Sequence, residues 1–264
     1  MSLADLAHEA AFDRTHLDEA NILTFDIETV PARVEFDTYD LRLRSPYVHH
    51  TNVVRPGQML AWAAKWYHEP SRVMYRDLRH PDMLGDLWKL LDHASYTVTF
   101  NGDKFDLRKV RGYFARAGLP PFRKPKSIDL IKAARTFGFE SASLDFTCRM
   151  FGVRRKIDNG GASLWRACLD GDDKAWRDMR TYNVGDVRAT EDLFDALRPW
   201  IPNHPIMGYP ADDNVHCPRC TSEDVTECGA VQAVVIRYRQ FRCSNCTGLF
   251  RTTIHSRAGV VRAL

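Results

Sequence analysis

The 264-residue chain has no apolar run of the roughly 18 residues that a membrane-spanning helix requires. Its opening, MSLADLAHEAAFDRTH, mixes charges and lacks the uninterrupted apolar stretch of a signal peptide, so a cytoplasmic location with no membrane contact is expected. Low-complexity tracts and internal repeats are absent, and 44% hydrophobic residues suffice for a core, which excludes a generally disordered chain. Net charge is also small. A formal +3 does not by itself mark a nucleic-acid binder, but the charge is uneven. Lysine is missing from residues 217–264, where seven arginines stand against three acids, and the remainder is close to neutral. A basic tail on a neutral body suits a module that touches substrate, and a solubility bias explains the charge equally well. Cysteine is scarce in the body, where Cys148 and Cys168 stand alone, while five of the seven cysteines fall between 217 and 246. In a cytoplasmic protein that crowding favours metal over disulfides.

What is present reads as alternating strands and helices. Residues 3–17 suggest a short arm or helix, and residues 21–29 a first strand. The polar, turn-rich DTYDLRLRSPYVHHTNVVRPG reads as a loop, and QMLAWAAKWY and SRVMYRDLRH as two further strands at hairpin distance. Apolar spacing at Met83, Leu84, Leu87, Leu90 and Leu91 predicts a helix, YTVTFNG a strand, and DLRKVRGYFARAGLP a helix stopped at Gly118 and Pro120. SIDLIKAARTFGF and SLDFTCRMFGV read as helices, RRKIDNGGAS as a basic loop, and DDKAWRDMRTYNVGDVRATEDLFDALRPWI as one long helix. The proline-rich PNHPIMGYPADDN reads as a linker. The expected fold class is α/β, a mixed β-sheet flanked by helices. The expected division is an arm at 1–20, a main domain at 21–202, a linker at 203–214 and a small β module at 215–264.

The first strand, NILTFDIETVP, carries Asp26 and Glu28 two positions apart, on one face of the strand. Burying such a pair is costly without compensation. VTFNGDKFD sets Asp106 just after a strand and turn, at the start of a helix. TYNVGDVRAT sets Tyr182 and Asp186 four apart on one helix face. Four acids brought into one cleft repel and raise each other's pKa unless cations neutralise them, and hard oxygen ligands suit magnesium or manganese.

FDIET, FNGDKFD and YNVGD, in that order, resemble the three motifs of the DEDD superfamily of 3′–5′ exonucleases, proofreading-type nucleases with a ribonuclease H-like fold. The third motif matches the Tyr version, because position 181 is Thr where the His version carries its His. The resemblance covers roughly residues 21–200. It implies two-metal hydrolysis of phosphodiesters at 3′ ends. Asp26 would bridge both magnesium or manganese ions, Glu28 and Asp186 would bind one, Asp106 would support the second, and Tyr182 would orient the attacking water. It also implies substrate contacts from Thr29, Asn101 and Phe105. Phe105 stands equally as a core residue, and Lys156 reads either as a phosphate contact or as part of a solvated basic loop. Asp129 in SIDLI reads as a helix cap and is left out of the site.

In the tail, HCPRC and RCSNC offer Cys217, Cys220, Cys243 and Cys246, two Cys-x-x-Cys pairs that resemble a zinc ribbon closing one structural Zn²⁺ with four thiolates. Cys228 and His216 are read as non-ligands. Arg237, Arg239, Arg242 and Arg251, interleaved with Tyr238, Phe241 and Phe250, suit phosphates and stacked bases; a solvated face or a docking site for a replication or repair protein are the other readings. The leading function is therefore a 3′–5′ exonuclease on nucleic-acid 3′ ends, with DNA favoured over RNA and a single strand expected as partner. The alternatives are a structure-specific endonuclease and a non-catalytic nucleic-acid-binding or replication-partner module.

Overall fold

The computed structural model describes residues 21–39, 47–154, 161–207, 214–232 and 237–252. The N-terminal arm, the loop containing Lys156 and residues 208–213 of the linker lie outside the described residues. In chain order the elements are β1 (Ile22–Val30), β2 (Arg33–Val34), β3 (Val53–Arg55), β4 (Gln58–Trp66), β5 (Met74–Asp77), α1 (Met83–His93), β6 (Tyr96–Thr99) and α2 (Asp106–Arg116). They continue with β7 (Lys126–Asp129), α3 (Ile131–Ala134), α4 (Leu144–Met150), α5 (Ala162–Leu169), α6 (Asp173–Leu197), β8 (Val225–Gln232), β9 (Arg237–Cys243) and β10 (Leu249–Arg251).

Five strands form a mixed sheet in the order β5-β4-β1-β6-β7. Strand β4 runs antiparallel to β1 and β5, while β1, β6 and β7 are parallel. The period-two alternation of β1 divides the core between the two faces of the sheet. Leu23, Phe25 and Ile27 pack with Trp62, Ala64 and Trp66 of β4 against α1 and α2. Ile22 and Val30 face the other way, into clusters completed by α6. Helix α6 starts where the Asp172 carboxylate accepts the N–H groups of Lys174 and Ala175, and its buried stripe then repeats at Met179, Tyr182, Asn183, Asp186, Leu193 and Leu197. On that same face Lys65 reaches Glu191 of α6, with Nζ at 2.6 and 2.8 Å from its two carboxylate oxygens. Both groups are buried, so the pair fixes the helix on the sheet, and loss of either partner leaves a charge without its counterpart.

Three parts of the chain depart from the sequence reading. SID, read as the start of a helix, is β7, paired with β6 from Tyr96↔Lys126 to Thr99↔Asp129; the helical part is confined to Ile131–Ala134 and a 3₁₀ turn at Arg135–Phe137. The stretch after the basic loop forms α5, which the sequence reading did not contain. The stretch read as a loop contains β3, which pairs with β2 just before it as a small antiparallel ribbon. The first half of the linker stretch is packed. Met207 is buried in the α6 cluster, its N–H donates to Pro218 O, and the Tyr96 hydroxyl donates to Ile206 O.

The second sheet, β10-β9-β8, carries Cys243 at the end of β9, while Cys217 and Cys220 lie in the turn before β8 and Cys246 in the turn between β9 and β10. Arg198, fully buried at the end of α6, donates to Asp195, to the Tyr67 hydroxyl and to Arg219 O, and so ties the helix to the first Cys-x-x-Cys turn. No helix among the described residues is long and apolar enough to cross a membrane.

Candidate active site

Strands β1 and β6 pair only as far as Thr24↔Val98, and beyond that point they part. The backbone N–H of Ile27, past the end of this ladder, donates instead to Asp106 Oδ1 at 3.1 Å. A crevice therefore opens at the carboxyl ends of two parallel strands, the position where open α/β sheets place ligands. Its volume is about 220 Å³, and Asp26, Glu28, Thr29, Asn101, Phe105 and Asp106 line it together with Trp165.

Asp26 and Glu28 lie opposite Ala63 and Ala61 of β4, small residues that leave α6 room to approach this face. Asp186 arrives from α6. Oxygens of Asp26, Glu28 and Asp186 all lie within 4.8 Å of one another, with Asp26 half-buried and the other two buried. Three carboxylates gathered this closely present the hard oxygen donors that divalent cations such as magnesium or manganese take. Asp106 lies outside that triad but on the same crevice. Tyr182 is buried one turn before Asp186 and is not among the residues lining the crevice. Lys156 lies outside the described residues. A bulge between Glu28 and Thr29 bends β1 as it leaves the triad.

Neutral donors orient the carboxylates. The Asn183 amide donates to Asp26 Oδ2 at 2.7 Å, and the Trp165 indole donates to Glu28 Oε2 at 3.2 Å. Sequence reasoning missed both. Asn183 had a signal, an amide on the buried stripe of α6 three residues before Asp186, whereas Trp165 sits on a helix that was not foreseen. Asp129, set aside as a cap, does bond the Ile131 N–H at 3.4 Å. It holds the crevice loop more closely, accepting from Asn101 N at 2.6 Å and Asp103 N at 3.2 Å. That loop turns tightly. Asn101 has φ 68°, and a Cβ on Gly102 would meet the Thr99 side chain at 2.3 Å, so only glycine fits there. Phe105 is 39% exposed at the rim, with Lys109 Nζ 5.8 Å from its ring centre, and takes no place in the core.

Burial pushes the Asp106 carboxyl up to about 7, against the pull of the Ile27 and Asp106 N–H groups and with a further rise from Asp129. An unfolded aspartate titrates near 3.9. Between about pH 4 and 7 the folded chain thus holds a proton that the unfolded chain has released, and stability falls as pH rises through that window. Asp106→Asn keeps the acceptor for Ile27 and removes the titration. In buffer free of magnesium and manganese, its thermal midpoint is expected to exceed that of the wild type at pH 8 and to converge with it near pH 4. A midpoint below the wild type at pH 8 would contradict the raised pKa of Asp106.

Residues 63–198 match the family model RNase_H_2, described as RNase_H superfamily. The chain belongs to the RNase_H superfamily. The matched stretch of this RNase_H superfamily chain begins inside β4, so it includes Asp106, Tyr182 and Asp186, while Asp26 and Glu28 join it through the β1–β4 ladder. No curated protein sequence matches the chain. Among solved structures it is similar to the family B DNA polymerase from the hyperthermophilic archaeon Pyrobaculum calidifontis, with TM-score 0.51 and 18% identity over 68% of this chain. The likeness spans 25% of the polymerase chain and bears on the fold.

The cysteine cluster is a separate centre. The sulfurs of Cys217, Cys220, Cys243 and Cys246 lie within 4.8 Å of one another, with Cys217–Cys246 and Cys220–Cys243 both at 3.6 Å. A tetrahedron with metal–sulfur bonds near 2.3 Å has edges of about 3.8 Å, so the four sulfurs fit zinc. Each Cys-x-x-Cys is followed by a threonine in the left-handed region, Thr221 at φ 60° and Thr247 at φ 58°, and the two turns are near copies. Cys228 and His216 stand outside the cluster. Phe241 is buried and stacks on Phe250, which packs against the cysteines, so these two rings form the module's core and do not present free faces to bases. Arg251 covers Tyr238, and Arg239 pairs with Glu227.

Proposed function

We propose that the chain is a metal-dependent 3′–5′ exonuclease of the Tyr version of the DEDD group, with residues 21–202 as its catalytic domain and 215–264 as a zinc ribbon joined through the 203–214 segment. The observation that carries this reading is the convergence of Asp26, Glu28 and Asp186, with Asp106, Thr29, Asn101 and Phe105 on the same crevice. Asp26, Glu28 and Asp186 would hold magnesium or manganese, with Asp106 supporting a second ion. Two such ions supply the positive charge that stabilises the attacking and leaving oxygens of an in-line displacement at phosphorus.

The chain's own residues do the rest. Asn183 and Trp165 hold the Asp26 and Glu28 carboxylates in one orientation. Asp129 locks the loop that presents Asn101 and Phe105 to the terminal nucleotide, and the exposed Phe105 ring offers a stacking face. Tyr182, buried one turn before Asp186, would orient the attacking water. The four cysteines would hold one structural zinc.

The test is digestion of 3′- and 5′-labelled DNA and RNA strands with magnesium or manganese. Stepwise release from the 3′ end is expected, with circular and 3′-blocked strands left intact. Equal cutting of circles would make the chain an endonuclease.

A further inference from the structure

Beyond the crevice lies a larger groove of about 820 Å³, between the β2–β3 ribbon and α5. The two spaces adjoin. Thr29 lines the crevice and the next residue, Val30, lines the groove, while Trp165 lines both. Arg33, Arg55 and Arg166 supply cations to the groove, and Glu35 and Asp170 are its acids.

Arg33 and Arg55 are direct cross-strand partners in the ribbon. Like charges placed opposite each other weaken a two-stranded ribbon unless something neutralises them. For Arg33 that partner is Glu35, at 2.9 Å. For Arg55 the described residues offer none. Its Nε is buried without a hydrogen-bond partner, and no carboxylate pairs with it among the described residues. A guanidinium donor withdrawn from water and left unbonded is costly, and an anionic oxygen arriving in the groove removes that cost. The ribbon also exposes Val34, Phe36, Val53 and Val54. Arginines beside exposed apolar side chains match a strand whose bases are unpaired, since phosphates and base faces are then presented together.

We propose that this groove holds a single nucleic-acid strand whose 3′-terminal nucleotide occupies the carboxylate crevice, with Arg55 and Arg166 contacting the phosphates upstream of the cleaved bond. The proposal rests on the nuclease reading and adds the path of the substrate. The two arginines come from different elements, β3 and α5, so the groove holds the strand from both sides.

The test compares wild type, Arg55→Ala, Arg55→Lys and Arg166→Ala on two substrates with manganese: an oligothymidylate of about 15 nucleotides, and the p-nitrophenyl ester of thymidine 5′-monophosphate, which reaches only the crevice. Each alanine variant is expected to raise KM for the strand roughly five- to tenfold with kcat unchanged, and to lower the salt dependence of that KM by about one unit of log–log slope. Hydrolysis of the ester should not change, and Arg55→Lys should restore much of the strand KM. An unchanged strand KM overturns the proposal, as does a proportional loss on the ester, which would mark a structural role. A wild type that cleaves neither substrate would refute the nuclease reading itself, and this would be evident before any variant is compared.

Discussion

Asp26→Ala is expected to lower kcat/KM for release of 3′-terminal nucleotides by about a thousandfold or more, at saturating magnesium or manganese. Losing one preorganised group aimed at developing charge typically costs about 10²–10³ in rate, and Asp26 would be one of the carboxylates that hold the metal supplying that charge. The fold should survive. Asp26 is half-buried opposite Ala63, and its removal takes one acid from a triad whose oxygens lie within 4.8 Å of one another. The counterweight is the Asn183 amide, fully buried on α6, which loses its 2.7 Å acceptor. An unmade buried hydrogen bond costs about 1–3 kcal/mol, so a small net change in thermal midpoint is expected beside a very large change in rate. That separation is the point of the measurement. Cleavage within tenfold of the wild type would remove the carboxylate site from the mechanism, and a collapse in midpoint would make the loss of rate a folding effect.

The parts of the site that local pattern encodes were legible in the sequence. Alternation put Asp26 and Glu28 on one face of a strand, and an acid at a helix start or in a helical stripe has a fixed direction once the element is known. Trp165, Asn183 and Asp129 were not legible in the same way, because each acts across elements. Asp129 bonds a loop 26 to 28 residues away in sequence, and Trp165 reaches a strand 137 residues away. The misreading of SID has a similar cause. Four residues flowing directly into a helix carry no period of their own, and what makes them a strand is the neighbouring edge of β6. In the tail, Phe241 and Phe250 fit a base-stacking pattern, yet in a module this small the aromatic residues are needed against the cysteines. Arg55 is the reverse case, a residue in an apparent loop whose meaning came only from the ribbon that places it opposite Arg33.

Cys220→Ser is expected to lower bound zinc from one ion per chain to a trace and to unfold β8–β10 while leaving the five-stranded sheet intact. Beyond the four cysteines, the described hydrophobic core of the module consists of Val225, Phe250 and the Phe241 ring stacked on it, and that area cannot offset the entropy of ordering three strands. Zinc binding in comparable small modules contributes on the order of 10 kcal/mol, which exceeds any other stabilising contribution available to it. Without a cation the Cys220 thiolate is disfavoured: hydrogen bonds shared with Cys217 and Cys246, and then burial, hold its pKa far above the ordinary thiol range, and a bound metal ion would offset that cost. The damage should spread only to the junction, where Arg198 donates to Arg219 O and Met207 to Pro218 O, because the Ile22, Val98 and Leu193 cluster beneath takes no residue from the module and only Met207 from the linker. Hydrogen exchange separates these outcomes. Amides of β8–β10 should lose protection in the variant, those of β1 and β4 should keep it, and nucleotide release from the crevice should persist. Protected β9 amides in a zinc-free variant would mean that the module stands without metal.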